Sequence, residues 1–209
     1  MSSIISHIYM GNILKEKYNL NDEFLYGSIM PDVLTRTIDG QNKVITHYLR
    51  HGILYGSEGD YPDIERFLNE NRYILPNSKM MQGYVSHLIE DMLWFSVYIP
   101  SIATKKDGKI IFNKDNSIHT DSEFKSAIYS DYPLIDRYLI KKSNLNILNL
   151  REEFLRFTDD EKLKDSIKDN FKLFDIQEKE LILLSIDKFE EYMERAINKV
   201  SLVLDQIYK

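Results

Sequence analysis

The chain has 209 residues, of which 43% are hydrophobic and 29% charged, and a net charge of −6. This is the composition of an ordinary globular protein with enough apolar material for one sizeable core. The acidic balance, with no basic patch, argues against duplex nucleic acid as a partner. The absence of cysteine excludes disulfides and thiolate metal sites, so any metal must be held by His, Asp, Glu, Asn or main-chain oxygens. No apolar run approaches the roughly 18 residues needed to cross a bilayer. No basic segment followed by a long apolar run opens the chain, and a cytoplasmic location is the expectation.

Few glycines and prolines (8 and 5) favour helices. Residues 2–18 read as a first helix, capped by Ser3 or Ser6, with Ile5, Ile8, Tyr9, Ile13 and Leu14 on one stripe. Asp22 can cap a short helix that ends at Ile29, because Met30-Pro31-Asp32 should break it. Residues 38–44 read as a polar loop around Gly40. The short segment 46–54 carries His47 and His51, which share a face if it is helical. An amphipathic helix is expected over 63–70, and a long buried helix over 78–99, stopped by Pro100.

Residues 103–116 read as a hairpin or loop, with Asp107-Gly108 as the turn and Lys109-Ile110-Ile111-Phe112 as a short strand. Residues 123–140 read as helical with a break near Pro133. From 147 onward the chain is charged and periodic, with Phe154, Phe157, Leu163, Ile167, Phe171 and Phe174. A last helix is expected over 178–208. The runs of charge over 151–172 read as a solvated helix face.

The buried-helix pattern contains the most informative stretch, Gly83-Tyr84-Val85-Ser86-His87-Leu88-Ile89-Glu90-Asp91. His87 and Asp91 lie one turn apart on a single face, where an imidazole and a carboxylate can grip one cation. A carboxylate in so apolar a run needs a partner. Glu90 points to a different side and reads as a solvated or ion-paired charge, and Trp94 and Phe95 read as core. Of the five histidines, His7, His47 and His87 sit in apolar contexts, whereas His119 reads as part of a solvated loop.

The order of His7, then Gly27-Ser28-Ile29-Met30-Pro31-Asp32, then Thr46-His47, then His87-Leu88-Ile89-Glu90-Asp91 resembles the zinc-dependent phospholipase C family. That family shares its helical fold with the P1 and S1 type nucleases. The resemblance covers about the first 100 residues. It implies an all-α, compact multi-helix bundle of the phospholipase C/P1 nuclease type, with a loop or β-hairpin insert near 103–118. It also implies a multi-zinc phosphoesterase site in which Asp32, His47, His87 and Asp91 hold one metal, while Asp91 bridges to a second that His7 also binds. Secreted members complete the second site with a processed N-terminal amino group, and this chain begins with Met1. The family's third-metal motif, a His followed four residues later by Glu, is missing here. Asp131 is the candidate for the further donor.

One domain over 1–209 is therefore expected, with metal-site helices in 1–100, an insert and connecting helices in 101–146, and buttressing helices in 147–209 that offer an oligomer contact. One or two Zn²⁺ ions suit the His/Asp set, with Fe²⁺ or Mn²⁺ as alternatives. The expected activity is metal-dependent hydrolysis of a small-molecule phosphoester. Asp32 would act as ligand or water-orienting group, and His51 would act beside the ligands or on the substrate phosphate, with Arg36 and Arg50 as phosphate candidates. Amide hydrolysis or dehydration on the same scaffold, or a purely structural metal, are the rival readings.

Overall fold

The computed structural model describes residues 3–37, 43–55, 57–106, 108–171 and 180–208. The expected loop around Gly40, Asp107 of the Asp-Gly turn, Phe174 and residues 178–179 of the expected last helix lie outside the described residues, as does Met1; residues 180–185 are not helical, so that helix starts later than expected, at Ile186. Among the described residues, no helix is long and apolar enough to cross a membrane.

Helix α1 (Ile4–Tyr18) starts where the Ser3 hydroxyl accepts the Ser6 N–H and ends at Asn19, whose left-handed backbone closes the last turn. Helix α2 (Asp22–Thr37) runs without interruption through Pro31, so the expected stop at Met30 does not occur. Proline's fixed φ is helical. Its cost is one lost N–H···O=C bond and a crowded carbonyl four residues back. The apolar face of Phe24, Leu25, Ile29 and Val33 is fully buried and outweighs that loss. The short α3 (Lys43–Thr46) leads into β1 (Leu49–Leu54), which pairs antiparallel with β2 (Ser57–Pro62). A hairpin therefore stands where the sequence left a helix open for 46–54. Helix α4 (Ile64–Asn71) is capped by Asp63.

Helix α5 (Lys79–Leu93), capped by Ser78, is buried on nearly every side. It passes into a π-helical turn, Trp94–Tyr98, and then α6 (Ile99–Ile102). Pro100 sits in the first turn of α6, where its missing N–H is not needed. Strands β3 (Ala103–Lys106), β4 (Lys109–Phe112) and β5 (Ile118–His119) form a small antiparallel sheet at the expected insert. Helix α7 (Asp121–Ser143) opens on a Thr120/Glu123 capping box and continues through Pro133. Helices α8 (Ile147–Leu155), α9 (Glu161–Asn170) and α10 (Ile186–Ile207) complete a mostly helical molecule.

Helices α2 and α5 make the closest crossing. A Cβ placed on Gly27 would lie 2.0 Å from the Met80 carbonyl oxygen, and one on Gly83 would lie 2.0 Å from the Phe24 carbonyl oxygen. The two backbones touch, and only glycine allows it. This contact sets Ser28 and Asp32 of α2 against His87 and Asp91 of α5. Gly83→Ala should therefore cost more than about 3 kcal/mol, because rigid backbone rather than a side chain must move. Urea denaturation would measure this, and a midpoint shift no larger than that of a surface Ala substitution would show that the crossing is not this tight.

Candidate metal centre

Six ionisable side chains meet at this crossing. His7 comes from α1, Asp32 from α2, His47 from the turn after α3, and His87, Glu90 and Asp91 from α5. All are buried, Asp32 being the most exposed at 8%. Burying three carboxylates beside three imidazoles is costly unless positive charge accompanies them.

The hydrogen bonds fix which ring nitrogens face inward. His87 Nδ1 lies 2.8 Å from the Ser28 carbonyl oxygen, which can only accept, so Nδ1 carries the hydrogen. His7 Nδ1 donates to Glu90 Oε2 at 2.9 Å, and Glu90 Oε1 in turn accepts the Ser6 hydroxyl. Around His47, a relay gives the same answer. The Thr35 hydroxyl donates to the Pro31 carbonyl at 2.8 Å, which leaves its oxygen to accept from Thr46 at 2.7 Å. The Thr46 oxygen is then left to accept from His47 Nδ1 at 2.9 Å. In the neutral form all three histidines thus present an Nε2 lone pair to the interior, the orientation that neighbouring groups give to metal-binding histidines, and His7, charged beside Glu90, must release its Nε2 proton to do so.

The inward-facing atoms are spaced as donors to one ion would be. His87 Nε2 lies 3.3 Å from His47 Nε2, and His47 Nε2 lies 3.4 Å from Asp32 Oδ1. Asp91 Oδ2 is 3.7 Å from both His47 Nε2 and His87 Nε2. Tetrahedral donors at about 2.1 Å from an ion sit about 3.4 Å apart. The other Asp91 oxygen, Oδ1, is 3.7 Å from His7 Nε2. Two overlapping groups could each hold an ion: His47, His87 and Asp91, and His7, Asp32 and His87.

Two lone pairs facing each other at 3.3 Å repel unless a proton or a cation lies between them. Burial, with the charge of His7 stacked 3.6 Å away, pushes His87 down to about 3 and so disfavours the proton. Burial also works against a charge on His7, but Glu90 prevails and raises it to about 9. Asp32, despite its burial, is held below the usual carboxylate range by the surrounding histidines, and Asp91 also lies below that range. The donor set fits a divalent transition metal.

The other candidates lie elsewhere. Asp131 is fully buried, but its carboxylate accepts the backbone N–H groups of Ile182, Leu183 and Leu184 at 2.7–2.8 Å and so pins the segment before α10. His51 is on strand β1, two-thirds exposed, and pairs with Asp60 at 3.0 Å and Glu58 at 3.3 Å. Arg50 reaches Asp63, and Arg36 is exposed at the end of α2. His119 stacks on Phe112 at 3.8 Å. Glu90, read as a solvated or ion-paired charge, is ion-paired with His7 and fully buried, because α1 and α10 cover that side of α5. Tyr192 of α10 donates to its backbone carbonyl at 3.1 Å.

Sequence reasoning passed over two groups on α7. The Tyr132 hydroxyl is pushed well above its ordinary range by burial and by Asp91, with Asp136 and Asp32 contributing. Asp136, one turn further on, accepts the Ser3 hydroxyl, and burial pushes its carboxyl up to about 7. Their i, i+4 spacing was the available signal. No protein-family model, curated protein or solved structure matches the chain.

Replacing the His47 relay partner, Thr46→Val, should preserve shape and remove the acceptor that orients His47, weakening metal binding about 10-fold. Competition with a chromophoric chelator would read this, and unchanged affinity would dispense with the relay. Asp136 gives a pH signature in the chelator-treated protein. Its unfolded pKa is 3.8 and its folded value is higher, so its contribution to stability worsens as pH rises from 3.8 to about 7. Asp136→Asn should therefore gain on the wild type over that window, by no more than about 4 kcal/mol above pH 7. A stability difference flat across pH 4–8 would refute the assignment.

Proposed function

We propose that this chain is a metal-dependent hydrolase acting on phosphoesters, as its resemblance to the zinc-dependent phospholipases C implies. The observation that carries the reading is the inward convergence of three imidazole Nε2 atoms and two carboxylates whose tautomers and orientations are already fixed. Asp32, His47, His87 and Asp91 would hold one ion, and Asp91 with His7 would share a second. Nitrogen and oxygen donors without sulfur suit Zn²⁺, with Fe²⁺ or Mn²⁺ as alternatives. When bound, such an ion supplies Lewis-acid polarisation of a phosphoryl oxygen and activation of water at neutral pH.

The chain's own residues do the positioning. Ser28, Thr46 and Glu90 hold the three imidazoles in one tautomer. The Tyr132 phenol, kept protonated by burial and by its acidic neighbours, can donate a hydrogen bond to an anionic oxygen. Asp136, with a carboxyl near neutrality, can take up or release a proton one turn away. The resting arrangement needs little reorganisation as charge develops.

Protein loaded separately with Zn²⁺, Mn²⁺ and Fe²⁺ and assayed with bis(4-nitrophenyl) phosphate should turn over with at least one ion. Chelation should stop the reaction, and Asp91→Asn should lower the rate by at least about 100-fold. Protein that carries metal yet shows no turnover with any of the three would reject the phosphoesterase reading while leaving the metal site standing.

A further inference from the structure

A cleft of about 970 Å³ opens beside the metal centre, and none of the six buried cluster side chains lines it. Its wall is largely apolar and aromatic, including Phe95, Ile99, Ile110, Phe124, Ile128 and Tyr132. That volume and lining are those of a small-molecule site. Three elements tie it to the centre. Lys43 of α3 lines the cleft, and His47, one turn on, faces the cluster, with its N–H bonded to the Lys43 carbonyl at 2.8 Å. Asp91 ends the cluster's stripe on α5, and Trp94 and Phe95, three and four residues later, begin the cleft wall. Tyr132 lines the cleft while its hydroxyl feels Asp91 and Asp32. It packs on Trp94 at 5.8 Å and Tyr129 at 5.7 Å.

The polar groups at the cleft are partly neutralised among themselves: His51 with Glu58 and Asp60, and Lys105 with Asp121 at 3.9 Å. Lys43 and Lys125 add positive charge. With Lys43, Lys105 and Lys125 balanced by Glu58, Asp60 and Asp121, the lining suits an apolar body, and an anionic head is assigned by the proposed metal.

Resting on the phosphoesterase reading for the identity of the head, we propose that the cleft is the substrate pocket of the metal centre. It takes an organophosphorus anion whose substituent is bulky and apolar, and Tyr132 stands at the junction and donates to the anion. An aromatic ring or an alkyl chain supplies the body, so the shared chemistry is the apolar substituent.

Trp94 is the only tryptophan and lies in the cleft wall, so its fluorescence reports occupancy directly. The zinc-loaded protein is titrated with three methylphosphonate monoesters, the methyl, octyl and 1-naphthyl. The octyl or naphthyl ester, or both, should bind at least about 10-fold more tightly than the methyl ester, as burial of several methylene equivalents requires. Which of the two binds better separates the chain from the ring. Phe124→Ala should reduce that preference, as should Tyr129→Ser, whose side chain is 66% exposed and whose loss spares the core. Tyr132→Phe should instead weaken all three esters alike. Equal binding of the methyl and the bulky esters, or no change in Trp94 emission, would overturn the proposal. Selective binding without turnover of any phosphodiester would reject the hydrolase reading alone. Turnover that ignores the bulk of the ester substituent would reject the pocket alone.

Discussion

The contact of α2 with α5 through Gly27 and Gly83 is the constraint on which the rest depends. With the two backbones touching, Ser28's carbonyl comes within reach of His87, and Asp32 within reach of His47. A larger residue at either position would part the helices, and the imidazole would lose the acceptor that fixes its tautomer. The electrostatics follow. Buried carboxylates and imidazoles need a compensating charge; the charged His7 supplies part of it, and the Nε2 atoms of His47 and His87 face the place where a metal would supply the rest. The fold therefore brings together a group of side chains that could hold a cation.

Around that group the chain arranges a second layer in which almost every member has one role. Glu90, Thr46 and Ser28 each accept from one Nδ1. Ser6 and Thr35 support those acceptors. Asp131 serves the architecture instead, by collecting three backbone N–H groups that would otherwise be buried without acceptors. Two carboxylates that look alike in sequence thus do unrelated work, and what separates them is the supply of donors around each.

Much of this was legible in the sequence. The His87/Asp91 spacing on an apolar helix, together with His7, Asp32 and His47, named the side chains that do meet. The cap at Ser3, the helix starts near 63 and 78 and the insert near 103–118 were visible in local residue chemistry. What was not legible depended on tertiary packing. Pro31 and Pro133 read as breaks because local rules see the lost hydrogen bond and not the buried face that keeps each helix whole. His51 was open to a helical reading, and strand pairing with residues 57–62 moved it to the surface. Glu90 was read as solvated or ion-paired; its pairing with His7 could not be chosen over solvent because nothing in its neighbours announces that α1 and α10 will cover it. Tyr132 and Asp136 carried a helical spacing, but only the packing of α7 against α1 gives that spacing a site to serve.

The central claim is that the buried histidines and aspartates hold a metal ion. X-ray absorption at the zinc edge, on protein loaded with Zn²⁺ and then passed through a desalting column, addresses it directly. The account predicts retained zinc with a shell of nitrogen and oxygen neighbours at about 2.0–2.2 Å and the outer-shell scattering of at least two imidazoles. Folded protein that emerges without zinc, or zinc surrounded by oxygen neighbours alone, would contradict it.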